Sequence, residues 1–139
     1  MSYINELGEK AKATQISIAT ASTKKKNDAL IAIAEALCEK SSAIIAQNVI
    51  DIDNAINNDM SVSMQDRLML NEARIKGIAD AVIQLTKLED PIGSTVSGSI
   101  RPNGLKISKI RVPLGVIGII YESRPNVTVD AATLCLKAG

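Results

Sequence analysis

The first ninety residues repeat apolar side chains every three or four positions, the period that places them on one face of an α-helix. Five helices are predicted, and their apolar faces are expected to form the core. The inward residues are Ile4, Leu7, Ala11, Thr14, Ile18 and Ala21, then Leu30, Ile33, Ala34, Leu37 and Cys38, then Ile45, Val49, Ile52 and Ile56, then a short helix through Leu70, and last Ile75, Ile78, Ala79, Val82, Ile83 and Leu85.

Short polar side chains indicate where these helices begin. Their oxygens accept hydrogen bonds from the free N–H groups of a first helical turn. Ser22 and Thr23 are predicted to cap the second helix, and Asn71 is predicted to cap the fifth. Ser41 and Ser42 are predicted to open the third helix, and a capping box over 63–66 the fourth. Pro91 and Gly93 end the last of them.

Residues 93–112 have a different pattern, typical of a two-stranded β-hairpin. Asn103-Gly104 lies between two extended segments and favours a type I′ turn, in which both residues have positive φ. The second arm is mostly apolar on one side, with an irregularity expected near Ile110. Because an isolated ribbon cannot bury that side, we expect it to pack on another subunit or on a sheet.

Residues 113–139 read as one strand, one loop and one helix. Val116–Ile120 is apolar on both faces, which is typical of a buried parallel strand. A helix is predicted from about Val127, with Gly139 as its C′ residue. The predicted fold class is therefore α/β: a helical region (1–92), a hairpin ribbon (93–112), and the first strand and helix of a Rossmann-like parallel sheet (113–139) that is incomplete within this chain.

Composition and charge exclude several classes of function. Apolar residues make up 46% and charged residues 22%, so the chain is globular rather than disordered. It has no His, which removes His-dependent nucleophile pairs and His-ligated zinc, and no metal site is predicted. A net charge of +1 and two aromatic residues argue against a nucleic-acid partner.

The charge is nevertheless uneven along the chain. Residues 101–139 hold six basic and two acidic groups, whereas residues 1–100 hold ten and thirteen. The basic end is suited to an anionic substrate or cofactor, although a few surface lysines would give the same count. The run Lys24-Lys25-Lys26 is predicted to be a solvated helix face.

The two cysteines and the apolar runs indicate the cellular location of the protein. Cys38 and Cys135 lack metal-binding spacing and are predicted to be buried, reduced thiols, which suits a cytoplasmic protein. The N-terminal residues lack a signal-peptide pattern, and the longest strongly apolar run, 116–120, is far shorter than a membrane span. No membrane association is expected.

The stretch from Arg111 to Gly139 closely resembles the γ-glutamyl phosphate reductase family of the aldehyde dehydrogenase superfamily. The Pro113-x-Gly115-Val116 entry is general to the superfamily, and the loop Tyr121-Glu-Ser-Arg-Pro-Asn126 is specific to this branch. Residues 1–92 match more weakly, including Asp66-Arg67-Leu68 and Arg74-Ile75. The resemblance covers the whole chain and about the first third of the family's usual length.

The resemblance implies an activity. Members reduce γ-glutamyl phosphate to glutamate-5-semialdehyde with NADPH in proline biosynthesis. A cysteine thiolate forms a thioester, which hydride from the nicotinamide reduces. The nucleophile lies in a later catalytic domain, and neither Cys38 nor Cys135 matches it. This chain alone is therefore expected to be inactive, although the family that it resembles consists of enzymes. A homo-oligomer is also expected.

The resemblance also implies site residues in the loop after the first strand, where ligands bind in open α/β sheets. Asn126 is the predicted oxyanion donor, with helix capping as an equal alternative, and an ungapped match places Arg124 at that position instead. Arg124 is predicted to bind the anionic substrate, although an ordinary surface arginine would look the same in sequence. Cofactor binding is predicted for Tyr121, Glu122 and Ser123. A second hypothesis for the whole chain is a non-catalytic helical interaction module with a dehydrogenase-like tail.

Overall fold

Six helices and one β-hairpin make up the computed structural model, which describes residues 2–139. The mainly helical α/β class is confirmed. In chain order the elements are α1 (Tyr3–Ala19), α2 (Thr23–Glu39), α3 (Ser41–Asn57), α4 (Val62–Leu68), α5 (Glu72–Thr86), β1 (Thr95–Ile100), β2 (Lys106–Ile110) and α6 (Pro125–Ala138).

The core lies where α2, α5 and α6 meet. Leu30 and Ala34 of α2 are buried against Ala79 and Val82 of α5, and Leu136 of α6 packs on this cluster. These α2 and α5 residues were predicted from the helical period, so that part of the core is confirmed. Cys38 differs: it lies in the last turn of α2 and is exposed, and Cys135 is only half-buried.

Helices α1 and α3 depart from their predicted faces. No residue of α1 is buried, and Ile4 remains 75% exposed. On α3, Val49 and Ile56 are about half exposed, and the buried residues are Asn48 and Ala55 instead. The reason on α3 is polar: the Asn48 amide donates to the Leu68 carbonyl at 2.9 Å and accepts from the Leu70 N–H at 2.6 Å, which turns this side of the helix inward.

The predicted helix starts are confirmed for α2, α3 and α5 and wrong for α4. Ser22 accepts from the Lys25 N–H and Asn71 from the Arg74 N–H, as predicted. Helix α3 begins at Ser41, as predicted, and the residue before it, Lys40, gives no side-chain cap. α4 begins one residue after Ser61, so the predicted box over 63–66 lies inside the helix. Helix α5 ends at Thr86, before Pro91.

Lys26 contradicts the prediction of a solvated lysine run. Its side chain is 1% exposed, and its Nζ donates to both carboxylate oxygens of Asp90, at 3.2 and 3.0 Å. The Asp90 carboxylate also accepts from the Thr23 hydroxyl and the Ile92 N–H, each at 3.0 Å. A distant carboxylate therefore makes burial of one lysine of the run possible, and the contact joins α2 to the segment after α5.

The hairpin is confirmed, but its turn type is wrong. The Gly104 N–H donates to the Arg101 carbonyl at 2.8 Å, which makes Pro102 and Asn103 the central residues. Gly104 has φ +83°, whereas Asn103 has no positive φ. Proline fixes φ near −65° and suits the first central position of an ordinary turn, so it displaces the Asn-Gly pair by one residue. The predicted irregularity is present, because the pairing shifts between Thr95 and Ser97, opposite Ile110 and Lys109.

The predicted strand Val116–Ile120 is not formed. Residues 111–122 have no regular secondary structure, and Ile117 and Ile120 are 50% and 102% exposed. A β-strand exists only through hydrogen bonds to a neighbouring strand, and within residues 2–139 the sheet contains β1 and β2 alone. Helix α6 follows as expected, and Gly139 ends it with φ +81°.

None of the helices within residues 2–139 combines the length and the apolar character that crossing a membrane requires.

Candidate functional site

The loop before α6 turns sharply into the helix. Ser123 adopts φ +50°, a left-handed conformation that costs a non-glycine residue roughly 1–2 kcal/mol. Pro125 then occupies the first turn of α6, where its missing N–H is no loss. This turn directs the residues after Ser123 toward α4 and α5.

A cleft of about 520 Å³ lies between the start of α6 and the α4–α5 turn. From α6 and its preceding residue it is lined by Arg124, Pro125, Asn126 and Asp130. The facing wall consists of Asp66, Arg67, Met69, Leu70, Arg74, Gly77, Ile78 and Ala81. The volume is in the range of small-molecule sites.

Asn126 lines this cleft and does not cap the helix. It is the second residue of α6, and the capping position belongs to Arg124, whose side chain makes no capping hydrogen bond. The Asn126 amide donates to the Asp130 carboxylate at 3.2 Å, one turn further along. Of the two alternatives for Asn126, capping is therefore wrong. An amide has two N–H groups, so one donor is left for a ligand.

The five predicted site residues separate into two groups. Arg124 and Asn126 line the cleft together, whereas Tyr121, Glu122 and Ser123 lie outside its lining. The Tyr121 hydroxyl lies 2.7 Å from the Thr128 hydroxyl, which ties the start of the loop to the outer side of α6. Glu122 is exposed.

Three charged residues of the facing wall were not predicted as site residues. The Arg74 guanidinium donates to the Asp66 carboxylate and to the Met69 carbonyl, both at 2.8 Å, and also to the Asp66 carbonyl. Arg67 completes the group from the last turn of α4. Helical periodicity carries no sign of this cluster, but Asp66-Arg67 and Arg74 belong to the segments that resemble the reductase family.

The cleft is positive on balance. Three arginines and two aspartates line it, and the N-terminal end of α6 adds the positive end of a helix dipole. Among the described residues, the Asp66 carboxylate is paired with Arg74 and the Asp130 carboxylate accepts from Asn126. The arginines are suited to bind an anionic group of a ligand, and the Asn126 amide is suited to donate a hydrogen bond to a polar group of the same ligand.

No family model matches the chain, but known proteins include sequence relatives of it. Over 133 residues it is 50% identical to gamma-glutamyl phosphate reductase from Bartonella tribocorum, covering 96% of the chain and 32% of the relative. The Clostridium botulinum protein of the same name is 52% identical over 139 residues, covering 98% and 34%.

Solved structures agree with the sequence relatives. Gamma-glutamyl phosphate reductase from Thermotoga maritima matches with a TM-score of 0.94 at 39% identity, over 99% of this chain and 33% of that one. The Saccharomyces cerevisiae enzyme matches with a TM-score of 0.92 at 27% identity, over 99% and 35%. The chain thus spans about one third of the length of these relatives.

The fold matches the N-terminal α/β region of these solved structures. In sequence and in structure the chain is similar to the N-terminal third of proteins named gamma-glutamyl phosphate reductase, which confirms the resemblance found in its sequence.

Proposed function

We propose that this chain supplies part of the substrate site of an enzyme that reduces γ-glutamyl phosphate to glutamate-5-semialdehyde with NADPH in proline biosynthesis. The main support is the match over nearly the whole chain to proteins of that name. The same match runs through the helical region and the loop alike, which favours the enzyme over a non-catalytic helical module.

Arg124 and Asn126 are the proposed substrate contacts. Their side chains line one cleft at the start of α6, as a binding group and a donor for the same small molecule would. Arg124 would hold an anionic group through paired N–H donors. Asn126 would donate to the oxygen that becomes negative when the acyl carbon turns tetrahedral, and Asp130 would hold its amide in place.

The cofactor contact is proposed for Tyr121, Glu122 and Ser123. One carboxylate and two hydroxyls fit the hydroxyl groups of a ribose, and the exposed Glu122 is accessible to one. When bound, NADPH supplies the hydride. The protein residues Glu122 and Ser123 would orient the ribose, and the strained φ of Ser123 fixes where the loop presents them.

The thioester-forming cysteine is proposed to lie outside this chain, as the family resemblance implies. Cys38 and Cys135 do not line the cleft that holds Arg124 and Asn126. The chain alone is then inactive. The proposal includes a cytoplasmic homo-oligomer, since both cysteines are free and the whole hairpin ribbon is exposed.

A chimera tests the proposal directly. Residues 1–139 replace the matching third of the Thermotoga maritima enzyme, with which they share a TM-score of 0.94. We expect NADP-dependent formation of γ-glutamyl phosphate from glutamate-5-semialdehyde and inorganic phosphate, the reverse reaction. The isolated chain should show none. A folded chimera without this activity, or turnover by the isolated chain, would contradict the proposal.

Two substitutions in the chimera test the roles of the residues. Asn126→Ala should lower kcat about 100-fold or more, because the oxyanion loses a donor. The control is Asn54→Ala on the exposed surface of α3, which should leave kcat unchanged. Arg124→Ala should raise the KM for the acyl phosphate, and an unchanged KM and kcat would remove Arg124 from the site.

A further inference from the structure

Two arginines of the cleft have no carboxylate partner within residues 2–139. Arg67 lies in the last turn of α4 and Arg124 precedes α6, so they approach the cleft from different elements. The ion pairs of the described chain involve other basic residues: Lys10, Lys24, Lys26, Arg74 and Lys76.

The third arginine of the cleft already has a structural task. Arg74 is held by the Asp66 carboxylate and by the backbone carbonyls of Asp66 and Met69. It therefore neutralises Asp66 and braces the turn between α4 and α5. The guanidinium of Arg67, next in sequence to Asp66, is left to attract an anion from the cleft.

The backbone that carries Arg67 is fixed from two sides. Asn48, which is 5% exposed, binds both the Leu68 carbonyl and the Leu70 N–H, while Arg74 holds the Met69 carbonyl. A buried asparagine and a bound arginine together immobilise the residues directly after Arg67. Such support is typical of a side chain that must stay in place for a ligand.

We propose that Arg67 binds an anionic oxygen group of the acyl phosphate substrate, opposite Arg124 in the same cleft. This inference rests on the proposed function for the identity of the substrate. That substrate has two anionic groups, the phosphate and the α-carboxylate, and two arginines match them in number. A guanidinium can give either group two parallel N–H bonds.

The reverse reaction separates the two anions, because inorganic phosphate and glutamate-5-semialdehyde are then distinct substrates. In the chimera, Arg67→Gln should raise the KM of one of them about tenfold to hundredfold, as expected for the loss of a charge-assisted hydrogen bond. A rise for phosphate assigns Arg67 to the phosphate, and a rise for the semialdehyde assigns it to the carboxylate. If neither KM changes, the inference is wrong.

Matched variants separate binding from general effects of charge. Lys24→Gln on the exposed surface of α2 removes the same charge and should leave both KM values unchanged. Arg67→Lys keeps the charge without the paired donors, so it should restore only part of the affinity. If Lys24→Gln raises the KM values as much as Arg67→Gln does, the proposed contact is wrong.

A binding measurement distinguishes failure of this inference from failure of the proposed function. Inorganic phosphate and glutamate are titrated separately into the chimera and its Arg67→Gln variant, and binding is followed by NMR. If the chimera is inactive but loses affinity for either anion on Arg67→Gln, the proposed reaction fails and the anion site stands. If Arg67→Gln changes the affinity for neither, the anion site fails.

Discussion

Removal of the Asp90 carboxylate would leave the ammonium group of Lys26 buried without a counter-ion. Lys26 has a side-chain exposure of 1% and Asp90 of 12%, and the two are joined at 3.0 Å. Breaking a buried pair from one side typically costs about 3–5 kcal/mol, because the remaining charge stays desolvated. We therefore expect Asp90→Ala to lower the free energy of unfolding by about that amount.

Removing both charges should cost less than removing the carboxylate alone. Lys26→Met fills the space of the lysine stem without a charge, so Lys26→Met/Asp90→Ala leaves no buried ion behind. The hydrogen bonds that Asp90 accepts from Thr23 and Ile92 are still missing in the double variant, so its stability does not return fully to that of the wild type. A double variant as unstable as the sum of the two single variants would refute the account.

Urea unfolding followed by far-ultraviolet circular dichroism measures these differences, since the chain has no tryptophan for fluorescence. Asp28→Ala is the matched control, because Asp28 pairs with Lys24 at 2.6 Å on an exposed surface. Such helix pairs contribute about 0.5 kcal/mol or less. If Asp90→Ala costs no more than Asp28→Ala, the buried pair does not stabilise the fold.

The pH dependence of stability provides a second measure of the Lys26–Asp90 ion pair. Burial raises the pKa of Asp90, but the hydrogen bonds from Ile92, Lys26 and Thr23 outweigh it and hold the pKa below the ordinary value of 3.8. A lowered folded pKa stabilises the protein above the unfolded pKa, and this contribution is lost as the pH falls through the folded value. The stability difference between wild type and Asp90→Asn should therefore shrink below about pH 3.8. A difference that is constant down to complete protonation would contradict this.

Substitutions at three further positions test the core and the helix ends by urea unfolding. Leu30→Ala should cost about 2–5 kcal/mol, because Leu30 is 0% exposed and its loss leaves a cavity; a cost below 1 kcal/mol would exclude it from the core. Asn71→Ala should cost about 1 kcal/mol, since the Arg74 N–H loses its cap at 2.8 Å, whereas Asn71→Asp should cost little. Asp59→Asn should stabilise by a few tenths of a kcal/mol, because Asp59 has φ +55° after α3 and its negative charge lies at the wrong end of a helix dipole; a loss of stability would contradict that reading.

Local patterns predicted the elements that depend on local physics. The caps at Ser22 and Asn71, the core faces of α2 and α5, and the end of α6 at Gly139 all follow from the helical period and from hydrogen bonds between near neighbours. Arg124 and Asn126, both predicted as site residues, line the same cleft at the start of α6, and their roles toward the substrate stay predictions.

Long-range contacts decided the rest. Lys26 is buried because its ammonium group pairs with Asp90, 64 positions further along the chain. Asn48 faces inward because the backbone after α4 supplies its hydrogen-bond partners. Residues 116–120 have a strand-like sequence, but strand pairing needs a neighbour that their own side chains do not provide. Arg67 and Arg124 lie 57 positions apart in sequence but line the same cleft. The spacing of apolar residues along a chain does not indicate which distant charged residues come together.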